Sequence, residues 1–250
     1  MATLSHSRLD DLLVERGLAD TRARAQALVA AGLVEVDGVR AESGALAVSA
    51  ATHLRLTGAD RPWASRGGLK LDTALDHFEV GCSGRVCLDA GASTGGFTDV
   101  LLHRGAALVY AVDVGRGQLD SRLAADPRVR VMDRTNVRTL AALDGPPPSL
   151  LTLDLSFISL RAVLPNLAQL APGAEVVALF KPQFELPRAA VARGGVVRNP
   201  DAVAAALAAF TEWAAGTLGA AGHEPVAASV RGAKGNQEWL VHLTLPGTSR

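Results

Sequence analysis

Five short β-rich runs constrain this chain more than any other feature: RVCLD at 85–89, LVYAVD at 108–113, VRVMD at 129–133, LLTLD at 150–154 and VVALFK at 176–181. Segments of helical length separate them. Continuous apolar strands alternating with helices predict a parallel sheet covered on both faces. Each run ends on an ionisable residue: Asp89, Asp113, Asp133, Asp154 and Lys181. In a doubly wound sheet the carboxyl ends of the strands share one edge, and ligands bind there. Aspartate often follows a strand as a turn or cap residue. That explains any one of the five; together, with a lysine among them, they point to a shared crevice. A helix is expected over 68–78 and another over 203–218. PVAASV (225–230) and EWLVHLTL (238–245) are expected to pair antiparallel at one edge, completing seven strands.

Residues 1–60 have a different texture. Leu9, Leu12 and Leu13 follow helical spacing after Ser7, an expected N-cap. A second helix is expected over 21–31, capped by Asp20 and ended by Gly32. Asp37-Gly38 inside LVEVDGVRA marks a two-residue hairpin, and further strands are expected near 46–48 and 53–56. RPWASR (61–66) reads as a linker in which Pro62 breaks regular structure. Trp63 there is expected to pack, with stacking on a base as the alternative. The remainder, 67–250, forms the larger domain.

Composition removes several classes. Of 250 residues 48% are hydrophobic, and 25 Lys+Arg balance 25 Asp+Glu, so neither disorder nor a basic nucleic-acid-coating tail is expected. Cys82 and Cys87 are too few for a disulfide framework or a four-ligand zinc site, and read as small core residues. No metal is expected. MATLSHSRLDD shows no apolar signal region. Val203–Gly222 is apolar but mostly alanine, holds Glu212, and follows Asn199-Pro200-Asp201, a helix start of ordinary globular kind. A cytoplasmic protein without a membrane partner is the expectation.

The first crossover is DAGASTGGFT at 89–98. Its glycines let the backbone approach a ligand and expose N–H groups at a helix start. It is neither GxGxxG nor a P-loop. Asp113, 24 residues past Asp89, suits the two ribose hydroxyls of an adenosyl ligand, in S-adenosylmethionine or NAD alike. Asp133 suits an adenine amino group or a salt bridge with Arg134. Only three cations are lysines: Lys70, Lys181 and Lys234. Where arginine is the default, a surviving lysine suggests need for a compact cation whose pKa can fall.

Lys70 in SRGGLKL, Asp154 in LDLSFISL, Lys181 in FKPQFE and Glu238 in GNQEW resemble the Lys-Asp-Lys-Glu tetrad of FtsJ-type ribose 2′-O-methyltransferases. RLDDLL, TRARA and GLVEVDG resemble an S4-type RNA-binding domain. RPWASRGGLKL, GASTGGFTDVLL, VDVGRGQL, DLSFISL, KPQFE and GGVVR together resemble the TlyA (hemolysin A) family across nearly the whole chain. The resemblance implies a Rossmann-like methyltransferase fold of the α/β class with a small α+β N-terminal domain. It implies S-adenosyl-L-methionine as cofactor, held by Asp89, Gly91, Ser93, Thr94, Gly95, Gly96, Phe97, Asp113, Asp133 and Asp154. It implies catalysis by Lys70, Asp154, Lys181 and Glu238, with cytidines of ribosomal RNA as acceptor. A neutral lysine can remove the hydroxyl proton, and Lys181 is the candidate base. Lys70 would be the neighbouring cation, Asp154 would orient Lys181, and Glu238 would complete the network.

For RNA, Arg8, Arg16, Arg22 and Arg24 are candidates on the N-terminal module, although six arginines there face eight acids. Arg61, Arg66 and the Arg193–Arg198 loop would extend the track. Aromatic residues make up only 4%, which favours a structured RNA over extensive single-strand stacking. The competing readings are a non-catalytic ribosome-binding or assembly factor, a NAD-dependent oxidoreductase and a membrane-lytic protein.

Overall fold

A computed structural model describes residues 6–247 except 17, 20, 31, 50, 57–62 and 233. Two units divide between residues 62 and 63. The expectations for Asp20, Arg61 and Pro62 lie outside the described residues.

In the first unit, β1 (His6–Arg8) runs directly into α1 (Leu9–Glu15), followed by α2 (Arg22–Ala30), β2 (Val34–Val36), β3 (Val39–Arg40), β4 (Ala47–Ser49) and β5 (Leu54–Leu56). Leu9, Leu12 and Leu13 of α1 meet Ala25 and Val29 of α2 in a small core. The hairpin forms as read: Asp37 and Gly38 both take positive φ, 51° and 84°, as a type I′ turn requires. Gly32, at φ 69°, ends α2. Ser7 is not an N-cap. It lies in β1, paired with Val48 of β4. The first amides of α1 are satisfied through space, Leu9 N–H by the Leu46 carbonyl at 2.8 Å and Asp10 N–H by that of Gly44 at 2.9 Å, so no side-chain cap is needed. At α2 the Thr21 hydroxyl accepts from the Arg24 amide at 3.2 Å.

The second unit contains α3 (Gly67–His77), β6 (Val86–Ala90), α4 (Gly96–His103), β7 (Leu108–Val112), α5 (Ser121–Ala124), β8 (Val129–Met132), β9 (Leu150–Leu153), α6 (Leu164–Leu170), β10 (Glu175–Phe180), α7 (Pro182–Glu185), α8 (Pro200–Gly216), β11 (Ala221–Gly222), β12 (Val226–Ala227) and β13 (Trp239–Thr244). The five predicted strands form the parallel part, in the order β10-β9-β6-β7-β8. β13 adds antiparallel to β10, and its far edge carries both β11 and β12. The sheet therefore has eight strands, where seven were expected. The run 225–230 shrinks to a two-residue strand and Ala221–Gly222 supplies the other piece.

Alternating strand residues serve opposite faces. Cys87, Val109, Leu150 and Val177 pack with Leu71 and Leu75 of α3 and Leu101 of α4. Leu88, Tyr110, Leu151 and Phe180 pack with Leu167 of α6 and Phe210 of α8. Both cysteines are free and buried, as core residues. Burial pushes the Cys87 thiol up to about 12, which leaves it inert. Trp63 packs within this unit, close over Gly68 and edge-on to His103 with centroids 5.1 Å apart. Asn199 caps α8, accepting from the amides of Asp201 and Ala202. Among the described residues no helix is long and apolar enough to cross a membrane.

Candidate active site

At the carboxyl edge of the sheet lies a cavity of about 550 Å³, lined by residues of the 91–97 loop, the 154–157 segment and α7. It sits where β6 has β7 on one side and β9 on the other. This is the strand reversal at which doubly wound sheets take ligands.

The glycines build the cradle. Gly91 has φ +84°, and a Cβ there would stand 2.7 Å from the Asp154 carbonyl oxygen. Any side chain would force the two loops apart. Gly95, at φ 96°, opens α4 in the left-handed conformation. Ser93, Thr94 and Gly96 line the cavity, as does Phe97, which also belongs to the core.

Asp89 differs from expectation. β6 continues through Ala90, so Asp89 lies inside the strand and is fully buried. Thr98 Oγ1 donates to its Oδ2 at 2.7 Å and Thr152 Oγ1 to its Oδ1 at 3.3 Å. Burial, opposed by the Thr98 bond and reinforced by the Asp154 charge, pushes its carboxyl up to about 7.

Asp113 and Asp133 follow their strands as read, but both hold loops. The Ser93 amide donates to Asp113 Oδ2 at 2.8 Å and the Gly115 amide to Oδ1 at 2.7 Å. Asp133 Oδ2 accepts from the Gly117 amide at 2.8 Å, and among the described residues no ion pair joins it to Arg134. Each oxygen keeps a lone pair for a ligand donor.

The four tetrad positions meet in the one cavity. Lys181 Nζ lies 2.6 Å from Asp154 Oδ1 and 3.2 Å from Ser156 Oγ. Lys70 Nζ donates to Glu238 Oε2 at 2.6 Å. Lys70, Lys181 and Glu238 are all buried, so each ammonium is held by a carboxylate out of bulk water. α3 carries Lys70, β9 and β10 immediately precede Asp154 and Lys181, and β13 immediately follows Glu238, which is why the residues converge from 70, 154, 181 and 238.

The FtsJ-like methyltransferase model matches residues 63–245 and the S4 domain model residues 7–51. The 16S/23S rRNA (cytidine-2′-O)-methyltransferase TlyA of Mycobacterium tuberculosis is 47% identical over 95% of this chain and 89% of its own. The chain belongs to the TlyA family of FtsJ-like methyltransferases. Hemolysin A of Brachyspira hyodysenteriae is 34% identical over 95% of this chain and all of its own. A hemolysin-like structure from Streptococcus thermophilus superposes with a TM-score of 0.74 at 39% identity, covering 98% of this chain and 90% of that one.

In this family member several residues in or beside the cavity were not among the site residues expected from the sequence. Phe157 is 88% exposed at the cavity rim with φ 65°, an unusual backbone for a bulky residue. Its ring tilts against Phe184, centroids 5.3 Å apart. A lone phenylalanine between two serines just after a strand-end aspartate was the available clue. Asn236 is buried and bridges two segments. Its Oδ1 accepts from the Val197 amide at 2.9 Å and its Nδ2 donates to the Gly195 carbonyl at 2.7 Å. That staple holds the 193–198 loop beside Glu238, with Arg193 and Arg198 exposed.

The arginine candidates separate. Arg66 lines the cavity. Arg8 and Arg22 converge on Asp10, at 2.7 and 3.3 Å, with Gln26 Nε2 donating at 2.8 Å. The Arg8 bond above all holds the Asp10 carboxyl far below the usual range, despite its burial. Arg16 donates to the Thr52 carbonyl at 2.7 Å, and Arg24 is exposed.

Proposed function

We propose that this methyltransferase moves a methyl group from S-adenosyl-L-methionine to the 2′-hydroxyl of a cytidine in ribosomal RNA. The observation that carries the reading is the meeting of two carboxylate-held lysines with a glycine cradle in one cavity. The relatives named as cytidine-2′-O-methyltransferases support the acceptor.

The cradle fits the donor: Gly91 leaves room that a Cβ would fill, and Asp154 lines the cavity, while Asp89, Asp113 and Asp133 lie in or just after the neighbouring strands. Gly91, Ser93, Thr94, Gly95, Gly96 and Phe97 would hold its methionine part. Asp89 would answer the ammonium from below, Asp113 the ribose and Asp133 the adenine. When bound, the donor supplies an electrophilic methyl on sulfur. Lys181 Nζ, fixed by Asp154 and Ser156, acts as the neutral amine once its extra proton has left to solvent, and accepts the proton of the 2′-hydroxyl as its oxygen attacks. Lys70, fixed by Glu238, faces the same oxygen or its neighbouring phosphate. Because attack neutralises the sulfonium, no developing anion needs a metal. Alignment is the main demand, and it is worth several kcal/mol.

The rim supports a nucleotide acceptor. Phe157 offers an open aromatic face on which the target base stacks. The S4 unit, with Arg8, Arg16, Arg22 and Arg24, would grip RNA phosphates, and Arg66, which lines the cavity, would meet a phosphate of the acceptor there. Incubation with labelled donor and ribosomal subunits tests the reading. Label should appear on RNA as a ribose methyl; tight subunit binding with no label would support the assembly-factor alternative.

A further inference from the structure

The α7 turn does more than follow Lys181. Lys181 is its N-cap and Glu185 its last residue. The Glu185 side chain turns back to the segment after β9: Ser159 Oγ donates to its Oε2 at 2.6 Å and the Leu160 amide to its Oε1 at 2.7 Å. Glu185 is half-buried and among the described residues has no ion pair, so these two bonds are the main return for its partial burial. Burial raises its carboxyl pKa above the ordinary value, and the Ser159 and Leu160 bonds oppose that rise.

Between the two ends of this segment stand Asp154, Ser156 and Phe157. The first two touch Lys181 Nζ, and Phe157 holds a positive φ. Such a backbone persists only where its surroundings fix it. At the start of the segment the Asp154 amide donates to the Ala90 carbonyl at 3.0 Å. At the end the fixed point is Glu185. One helical turn thus carries the lysine and, a few residues on, the anchor for the loop that surrounds it.

We infer that Glu185 is a positioning residue for methyl transfer, pinning the 154–160 segment so that Asp154 and Ser156 aim Lys181 and Phe157 keeps its face toward the acceptor base. This rests on the reading of Lys181 as the base. Glu185 does not line the cavity, and acts through Ser159 and Leu160.

The test uses full-length Glu185→Ala, Glu185→Gln, Ser159→Ala and Lys181→Ala, assayed on ribosomal subunits, with S-adenosylhomocysteine binding and amide exchange measured alongside. Glu185→Ala should lower kcat by about 100-fold, the scale of a one-ångström misplacement. Its affinity for S-adenosylhomocysteine should stay within about two-fold of wild type, since the cradle end of the segment stays held by the bond from the Asp154 amide to the Ala90 carbonyl. Exchange at 155–160 should accelerate. Glu185→Gln keeps an acceptor for Leu160 and a donor for the Ser159 hydroxyl, and should restore most of kcat. Ser159→Ala removes one bond only and should give an intermediate loss, which keeps the inference testable if Glu185→Ala fails to fold. Wild-type kcat in Glu185→Ala, unchanged exchange, or a parallel loss of donor affinity would overturn it. Lys181→Ala separates the two readings. Turnover in that variant removes the base assignment; an inactive Lys181→Ala beside a fully active Glu185→Ala removes the inference alone.

Discussion

Asp89 gives the second unit a pH dependence that can be worked from its surroundings. It is fully buried, with two threonine hydroxyls and, among the described residues, no ion pair, and its carboxyl is raised from 3.8 to about 7. Between those values the folded chain holds a proton that the unfolded chain releases. Its stability contribution is therefore complete below the unfolded pKa and is lost as pH rises through the folded one. The rise corresponds to about 4 kcal/mol at roughly 1.4 kcal/mol per unit. Of this, about 2.5 kcal/mol falls between pH 5 and pH 8. Asp89→Asn keeps the shape and cannot ionise, and the Thr98 hydroxyl can rotate to accept from the amide. The donor-free Asn variant should therefore gain on wild type by about that amount between pH 5 and pH 8. All three tryptophans, Trp63, Trp213 and Trp239, lie in the second unit, so urea unfolding followed by tryptophan fluorescence reports that unit alone. A difference between the two proteins that stays flat or shrinks as pH rises would refute the reasoning.

Other outcomes follow from the same geometry. Phe157→Ala should raise KM for RNA by about 5- to 160-fold, the equivalent of about 1–3 kcal/mol per stacked base, with donor affinity unchanged by calorimetry. Gly91→Ala places a methyl against the Asp154 carbonyl at positive φ; loss of measurable S-adenosylhomocysteine binding is expected, and wild-type affinity would remove the cradle assignment. Asp10→Ala leaves Arg8 and Arg22 without their shared carboxylate. Both guanidinium groups are about half exposed and regain water, so the first unit should lose about 1 kcal/mol, read as faster amide exchange across α1 and α2. Deleting residues 1–62 should weaken subunit binding far more than donor affinity, and equal subunit binding by the truncated chain would contradict the S4 reading.

The parallel sheet was legible because its signals are local. Five apolar runs and their terminal charges need no knowledge of partners, and the sheet edge then gathers them. The Asp37-Gly38 turn was legible for the same reason, since a two-residue hairpin needs two left-handed residues. What escaped depends on contacts distant in sequence. Ser7 read as a cap because the Gly44 and Leu46 carbonyls that replace it lie some 35 residues away. Asp113 and Asp133 read as ligand groups, yet they also tie loops through the amides of Ser93, Gly115 and Gly117. The tetrad positions were found by resemblance, but their pairing, Lys70 with Glu238 and Lys181 with Asp154, appears only in three dimensions. Low aromatic content argued against stacking, and it concealed that one phenylalanine sits open at the rim.

Mapping ribose methylation on ribosomal RNA treated with wild-type protein or with Lys181→Ala tests the central claim most directly. The account predicts a single class of product, a cytidine 2′-O-methyl, made by the wild type and missing with the variant, while both proteins bind S-adenosylhomocysteine equally. A methyl group on a base, or undiminished ribose methylation by Lys181→Ala, would contradict it.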